Sequence, residues 1–283
     1  MLIREFAEAD RSVVLSLLQH TGMPEDEQVR LLERGQRLVA LRGDDLLALG
    51  TLTPGRRPGF YSCGMLVAPS ERRQGVGSQL WAELLANRPS DVRQISCFCP
   101  ATDQAGQAWL KRHGFQPWYG LELMHYSGPA LPDPDLVVRG YQDADYEDWI
   151  RLINEGFFPM RQAMDIQPNL VYPNEVRNDP ATRQKLLGLD PINNLLFFDG
   201  DRLIGMAELE GTEIDTVTVD TRERRKGYGR RIMAYCTNLM LTRGIDPVTL
   251  HVVSWNAAAR QLYESMGWTF VSKHDAWRLQ LAD

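Results

Sequence analysis

Two short phrases in this chain of 283 residues have the residue types and spacing to grip a phosphate. Arg72-Arg73-Gln74-Gly75-Val76-Gly77-Ser78 recurs 152 positions later as Arg224-Arg225-Lys226-Gly227-Tyr228-Gly229-Arg230. Glycines remove side chains, so backbone can approach an anion closely. The amides that open a following helix point at that anion, and the helix dipole adds to the attraction. Each phrase follows an apolar, strand-like run (Gly64–Val67, then Thr216–Val219) and precedes an amphipathic helical pattern. The net charge is −6 and the pI about 5.5, which argues against a nucleic-acid surface. The basic clusters are therefore local exceptions, and they suit a small polyanion such as a nucleotide-bearing cofactor.

The elements that must position these turns also come twice. Ile3–Asp10 matches Val138–Asp145, a strand and then a capped helix start. Arg37–Gly50 reads as a β-hairpin closed at Gly43-Asp44, and Asn194–Ala207 as its partner, with the turn at Asp199-Gly200. After each turn come a helix (stripe Leu80, Leu84, Leu85; then Ile232, Cys236, Leu239, Met240) and a strand (Gln94–Phe98; Val248–Val253). A second helix then ends in Gly-aromatic, His113-Gly114-Phe115 or Met266-Gly267-Trp268, and a last strand closes the unit. Ser127–Asp135, with three prolines, reads as a linker. The pattern predicts an α+β fold, a mixed and mostly antiparallel sheet with flanking helices, in two domains at residues 1–127 and 136–283 joined through 128–135. The second half carries roughly twenty extra residues before its hairpin, including Phe157, Phe158, Met160, Arg161, Met164 and Tyr172. They read as an extra helix pair over the core or as a lid lining a substrate site.

Hydrophobic residues at 43% and charged residues at 24% fit a soluble, globular chain. No apolar run approaches the roughly 18 residues of a membrane span, and Met1-Leu2-Ile3-Arg4-Glu5 is not a secretory signal, so a cytoplasmic location without membrane contact is expected. Cys63, Cys97, Cys99 and Cys236 are too few and scattered for a disulfide scaffold. Cys97-Phe98-Cys99 is read as turning its two thiols to opposite faces of a strand, which disfavours a shared metal. No metal is expected, and the thiols are taken as buried and inert.

Strand, Arg-x-x-Gly-x-Gly, helix, strand, then a helix ending Tyr-x-x-x-Gly-aromatic resembles the GNAT (Gcn5-related N-acetyltransferase) superfamily. Both halves carry the pattern, so the resemblance is to two tandem acyl-CoA N-acyltransferase domains and covers nearly the whole chain. It implies acetyl-CoA (coenzyme A) as cofactor. Val217, Thr218 and Val219 would pair with the pantetheine arm and offer an amide to the thioester carbonyl. Arg224, Arg225, Lys226, Gly227, Tyr228, Gly229 and Arg230 would hold the pyrophosphate. In the first half Val67, Arg72, Arg73, Gln74, Gly75, Val76, Gly77 and Ser78 would do the same.

Aligning the distal helices by their terminal glycines separates the halves. Tyr263 stands four residues before Gly267, where the first half has Leu110 before Gly114; Asn256, the family-like asparagine that caps the helix or touches pantetheine, is matched by Asp103. A phenol can protonate the departing CoA thiolate, and leucine cannot. The resemblance therefore implies a catalytic second half with Tyr263 as general acid and a catalytically degenerate first half that keeps a phosphate grip. An ammonium acceptor must also lose a proton. Glu208 and Glu210, and Glu213 and Asp215, are the candidate bases, each pair sharing one face of its strand at period two. His251 is a further candidate, expected to be half-buried and satisfied. The implied function is an acetyl-CoA-dependent N-acetyltransferase acting by direct attack of a small-molecule primary amine, as monomer or homodimer. The alternatives are a non-catalytic CoA-binding or regulatory module, or a pathway acetyltransferase similar to mycothiol synthase.

Overall fold

The computed structural model describes residues 1–18, 31–55 and 57–281. Its contacts form two units, Met1–Trp118 with Asp275–Asp283, and Tyr119–His274. The first unit contains β1 (Leu2–Glu5), α1 (Arg11–Leu18), β2 (Gln36–Arg42), β3 (Asp45–Pro54), β4 (Phe60–Val67), α2 (Val76–Ala86), β5 (Gln94–Pro100) and α3 (Gln104–Arg112). Its strands lie in the order β1-β2-β3-β4-β5, followed by the end of β12 (Thr269–Gln280). β4 and β5 run parallel, and the pairs β1–β2, β2–β3 and β3–β4 are antiparallel.

The second unit repeats the plan. It contains the end of β6 (Gln116–Tyr126), β7 (Val137–Gly140), α4 (Tyr146–Ala163), α5 (Asn174–Arg177), α6 (Pro180–Leu187) and β8 (Asn194–Asp199). β9 (Arg202–Glu210), β10 (Glu213–Val219), α7 (Tyr228–Thr242), β11 (Val248–Val253) and α8 (Ala257–Ser265) follow. Strand order is β6-β11-β10-β9-β8-β7, with only β10–β11 parallel among the pairs described. The fold is α+β, a mixed sheet with flanking helices in each unit.

The chain passes between units inside β6 and β12, whereas the sequence reading drew its boundary at 128–135. Leu121–Tyr126 of β6 pair with Val253–Val248 of β11, and Trp277 of β12 is buried in the first unit's core. The proline-rich stretch is instead fastened to α7. Asn238 Oδ1 accepts from Leu131 N at 2.7 Å, Asn238 Nδ2 donates to Leu131 O at 2.9 Å, and Arg231 Nε donates to Pro134 O at 2.7 Å.

The same local chemistry builds matched elements in both units. Arg4 grips Asp10 with two hydrogen bonds of 2.7 and 2.8 Å while Asp10 caps Ala7 N, and Arg139, Asp145 and Gln142 N repeat the arrangement at 2.6, 2.7 and 2.8 Å. Both distal helices end with a left-handed glycine, Gly114 (φ 86°) or Gly267 (φ 92°). The following aromatic amide closes back on the helix, Phe115 N to Leu110 O and Trp268 N to Tyr263 O, each 3.1 Å. The second hairpin turns on Gly200-Asp201, one residue later than Asp199-Gly200, because β8 continues through Asp199.

Cys97 and Cys99 do not point to opposite faces. Residues two apart on a strand share a face, and both thiols are buried in the first unit's core while Phe98 is exposed. The extra residues of the second half become a long α4, a loop and the short helices α5 and α6. Leu186, Val171 and Tyr172 pack with Trp149, Ile150 and Ile153 over Met206, so part of the insertion covers core.

Candidate active site

The phosphate turns are near-copies in backbone. Arg73 (φ 62°) and Gly75 (φ 84°) adopt left-handed conformations, as do Arg225 (φ 67°) and Gly227 (φ 86°). Left-handed residues two apart, followed by a helix start, gather successive amides into an anion-binding concavity. The two turns offer the same backbone arrangement. Arg72 and Arg224 brace the turns identically, with Nε donating to the last carbonyl of the preceding strand, Val67 O at 3.1 Å and Val219 O at 3.5 Å.

Several side chains of the two phrases are committed elsewhere. Tyr228 is buried and its hydroxyl donates to Asp199 at 2.6 Å, so it offers the turn only its amide. Val76 is likewise buried. Lys226 pairs with Glu223 at 2.9 Å, Arg230 donates to Ser265 Oγ at 2.6 Å, and Gln74 donates to Ser70 O at 2.8 Å. Ser78 Oγ accepts from Trp109 Nε1 at 3.2 Å.

The strand pairings create the opening beside the second turn. β10 and β11 share one register pair, Glu213 opposite Thr249, and then diverge toward Val219 and Val253. Asp220 N bonds Ile204 O on the β9 side, so by alternation the amides of Val217 and Val219 face the β11 edge, beyond the one shared register pair. β10 also carries an irregularity that the sequence reading did not anticipate. Ile214 opposes Leu209 and Thr216 opposes Glu208, leaving Asp215 as an extra residue, a β-bulge.

The bulge decides which side chains share a face. Before it, Ile214 packs with α7 residues Ile232, Met233 and Cys236; after it, Val217 and Val219 do so. Thr218 then lies on the α4 side, where a Cβ added to Gly156 would sit 2.5 Å from Thr218 Cγ2. On β9, Ala207 and Leu209 face α7, and Met206 faces α4. On β11, Val248, Leu250 and Val252 face α7. By alternation Glu208, Glu210, Glu213, Thr249 and His251 therefore line the α4 side. Asp215, the extra residue of the bulge, falls outside the register that places Glu213 on this side.

His251 has a side chain 44% exposed, and its Nδ1 lies 2.6 Å from Oε1 of Glu213, itself 27% exposed, so the imidazole is about half-covered and has a partner. Asp215 accepts from Thr216 Oγ1 at 3.1 Å.

Tyr263 approaches from the opposite side. It packs against the α7 core with its ring 6.3 Å from that of Trp268. Burial pushes its phenol up to about 12. Among the described residues, its hydroxyl makes no hydrogen bond. Asn256 caps α8, its Oδ1 accepting from Ala259 N at 3.2 Å, and Asp103 caps α3 by accepting from Gly106 N at 2.9 Å.

A buried ion cluster ties this site to α4. Asp220, 1% exposed, directly follows β10 and accepts from Arg222 at 2.6 and 3.0 Å and from Arg151 of α4 at 2.8 Å. Those bonds, led by Arg222, hold its carboxyl well below the usual range despite burial. Thr221 Oγ1 donates to Glu155 of α4 at 2.9 Å. Neither this cluster nor the His251–Glu213 pair has a signal in the chain beyond charge at unrelated positions.

Two family models match the chain. One, described as an acetyltransferase (GNAT) family, covers residues 160–268; the other, an acetyltransferase (GNAT) domain, covers 33–117. A mycothiol acetyltransferase of Clavibacter michiganensis subsp. michiganensis is 27% identical over 85% of this chain and 80% of its own length. One from Thermobispora bispora is 28% identical over 92% of both. Among solved structures, a GCN5-related N-acetyltransferase from Sphaerobacter thermophilus superposes with a TM-score of 0.71 at 17% identity, covering 99% of this chain and 95% of that one. A tandem GNAT protein from the clavulanic acid biosynthesis pathway gives 0.66 at 15% identity, covering 100% and 99%. At such identity the structures speak for the fold alone.

Proposed function

The chain belongs to the GNAT acetyltransferases in both sequence halves, as an acetyl-CoA-dependent enzyme, and from that premise we propose how it divides the work. Acetyl transfer to a primary amine occurs in the second unit. The Arg225–Gly229 amides, with Arg224 and Arg225, hold the pyrophosphate; the free edge of Val217–Val219 receives the pantetheine arm. The amine enters from the α4 side, over Glu208, Glu210, Glu213 and His251, and Tyr263 stands opposite as the acid for the departing thiolate.

The observation that carries this reading is Tyr263. Partly buried, it packs against the α7 core, and desolvation there pushes the phenol up to about 12, which favours its acid form. A low-dielectric surround also makes a proton at this point more effective on a developing thiolate. Release of free CoA should be followed with acetyl-CoA and an amine panel that includes the acceptor of mycothiol acetyltransferases. If no amine consumes acetyl-CoA and Tyr263→Phe matches wild type, the reading fails.

The acceptor of mycothiol acetyltransferases heads the panel for a specific reason. The similarity to those enzymes runs through both sequence halves, well beyond the motif both family models detect. Their activity is accordingly the second, narrower reading for this chain.

The first unit is proposed to keep a CoA-binding turn without the chemistry, since its left-handed pair at Arg73 and Gly75 repeats that of Arg225 and Gly227 within a few degrees. Calorimetric titration with CoA should then give a stoichiometry near two, falling to one in Gly75→Glu. A stoichiometry of one in wild type removes the first turn from the cofactor sites.

A further inference from the structure

We propose that His251 takes the proton from the acceptor ammonium and that Glu213 is the residue that positions it, an inference resting on the acetyl-transfer reading above. Glu213 Oε1 holds Nδ1 at 2.6 Å. With Nδ1–H donated to that carboxylate, the lone pair resides on Nε2, which is the atom that accepts. The pair spans the parting strands, Glu213 on the last shared register of β10 and His251 two residues along β11 on the same face.

The groups facing His251 come from three strands. β10 supplies Glu213; β9 supplies Glu210, directly opposite Glu213, and Glu208 beyond it; β6 supplies Leu123 directly opposite, with His125 two residues away against Thr249. The carboxylates draw an ammonium to this face and favour the imidazolium that follows proton uptake. The first unit lacks the arrangement. Counting along matched pairs from Ser62–Ser96 and Glu213–Thr249, Ser62 stands for Glu213, and Phe98, 53% exposed, stands for His251.

The proton balance closes. The ammonium gives one proton to Nε2 of His251, and the freed nitrogen lone pair forms the bond to the acetyl carbon. The carbon–sulfur bond breaks with its electron pair on sulfur, and Tyr263 protonates that sulfur. The nitrogen, now amide, loses its second proton through solvent to the Tyr263 phenolate. The single proton released overall resides on His251 and leaves to bulk water.

The test uses acetyl-CoA and the amine acceptor of mycothiol acetyltransferases. His251→Gln is expected to lower kcat/KM by about 10²-fold or more and to flatten the acid limb of its pH profile, with acetyl-CoA affinity unchanged. His251→Phe, which installs the residue tolerated at the matched exposed position, should lose as much. Glu213→Gln should lose less and displace the imidazole titration of His251 in proton NMR. If both His251 variants keep the wild-type rate and profile, the proposal is overturned; if Glu213→Gln alone abolishes turnover, the carboxylate is itself the base. If wild-type enzyme turns over no amine, the transfer reading has failed first, before any variant is compared.

Discussion

The two units differ least at their Gly-rich turns and most on the face proposed to receive the acceptor. Matched register pairs allow the comparison residue by residue. Thr51 opposes Gly64 as Glu208 opposes Thr216, and Thr53 opposes Ser62 as Glu210 opposes Glu213. Four ionisable groups on this face of the second unit thus have neutral counterparts in the first: Thr51, Thr53, Ser62 and Phe98 for Glu208, Glu210, Glu213 and His251. Leu110 stands for Tyr263, and Ala68, after Val67, stands for Asp220, after Val219. β4 pairs with β3 in unbroken register from Tyr61 to Val67, without the bulge of β10. Both hairpins, by contrast, keep an irregularity at the same place, after Ala40 and after Phe197. A scaffold can therefore be duplicated with its turn backbone intact while the side chains on one face, and one inserted residue, differ between the copies.

The sharpest attempt to break this division exchanges the acid. Tyr263→Phe is expected to lower kcat by about 10²–10³-fold with little change in KM for acetyl-CoA, because general-acid assistance acts in the transition state. Leu110→Tyr in that background should restore nothing, since the first unit also lacks the bulge and the acceptor-face carboxylates. Recovered turnover would mean that the halves are nearer to equivalence than their registers indicate. The phenol's elevation to about 12 adds a signed expectation. A raised value keeps the acid form present as pH climbs, so kcat should show no loss of the acid near pH 10, where an ordinary tyrosine would ionise.

Much of the division was legible in the chain because it rests on local codes. Glycines at left-handed positions, Gly-aromatic helix ends and the Tyr263–Leu110 mismatch all fall at fixed spacing from one another. The bulge at Asp215 was not legible, since the loop before β10 differs in length from that before β4 and absorbs the extra residue in any alignment. The His251–Glu213 pair was hidden for a different reason: it depends on the register of β10 against β11, Glu213 opposite Thr249, which neither strand's own pattern encodes. The exchange of closing strands was also hidden. β6 and β12 are long strands, of 11 and 12 residues, and choice of partner is a long-range matter that strand pattern does not encode.

Asp220 offers the next test, on stability rather than rate. Its carboxylate is buried and bonded to Arg222 and Arg151, whereas Ala68 does without any such pair. Asp220→Ala leaves Arg151, itself only 26% exposed, without its buried partner and should cost about 2–3 kcal/mol in denaturant unfolding. The folded-state value lies below the unfolded one, so the wild-type advantage is present above about pH 4 and fades as pH falls through the folded value. A gap between wild type and variant that persists undiminished at pH 2 would deny the ion cluster its role in joining α4 to the end of β10.

The smallest effect probes what the units share. Asn256 and Asp103 each accept from a backbone amide three residues on, so Asn256→Ala and Asp103→Ala should each cost about 1 kcal/mol and lower Tm by a few degrees. With the cap as the common role, acetyl-CoA KM should stay within about two-fold of wild type in both, a change below roughly 0.4 kcal/mol. A KM increase confined to Asn256→Ala would instead put that amide against pantetheine. Asn256 would then join Tyr263 among the features that separate the two units, although both positions cap their helices in the same way.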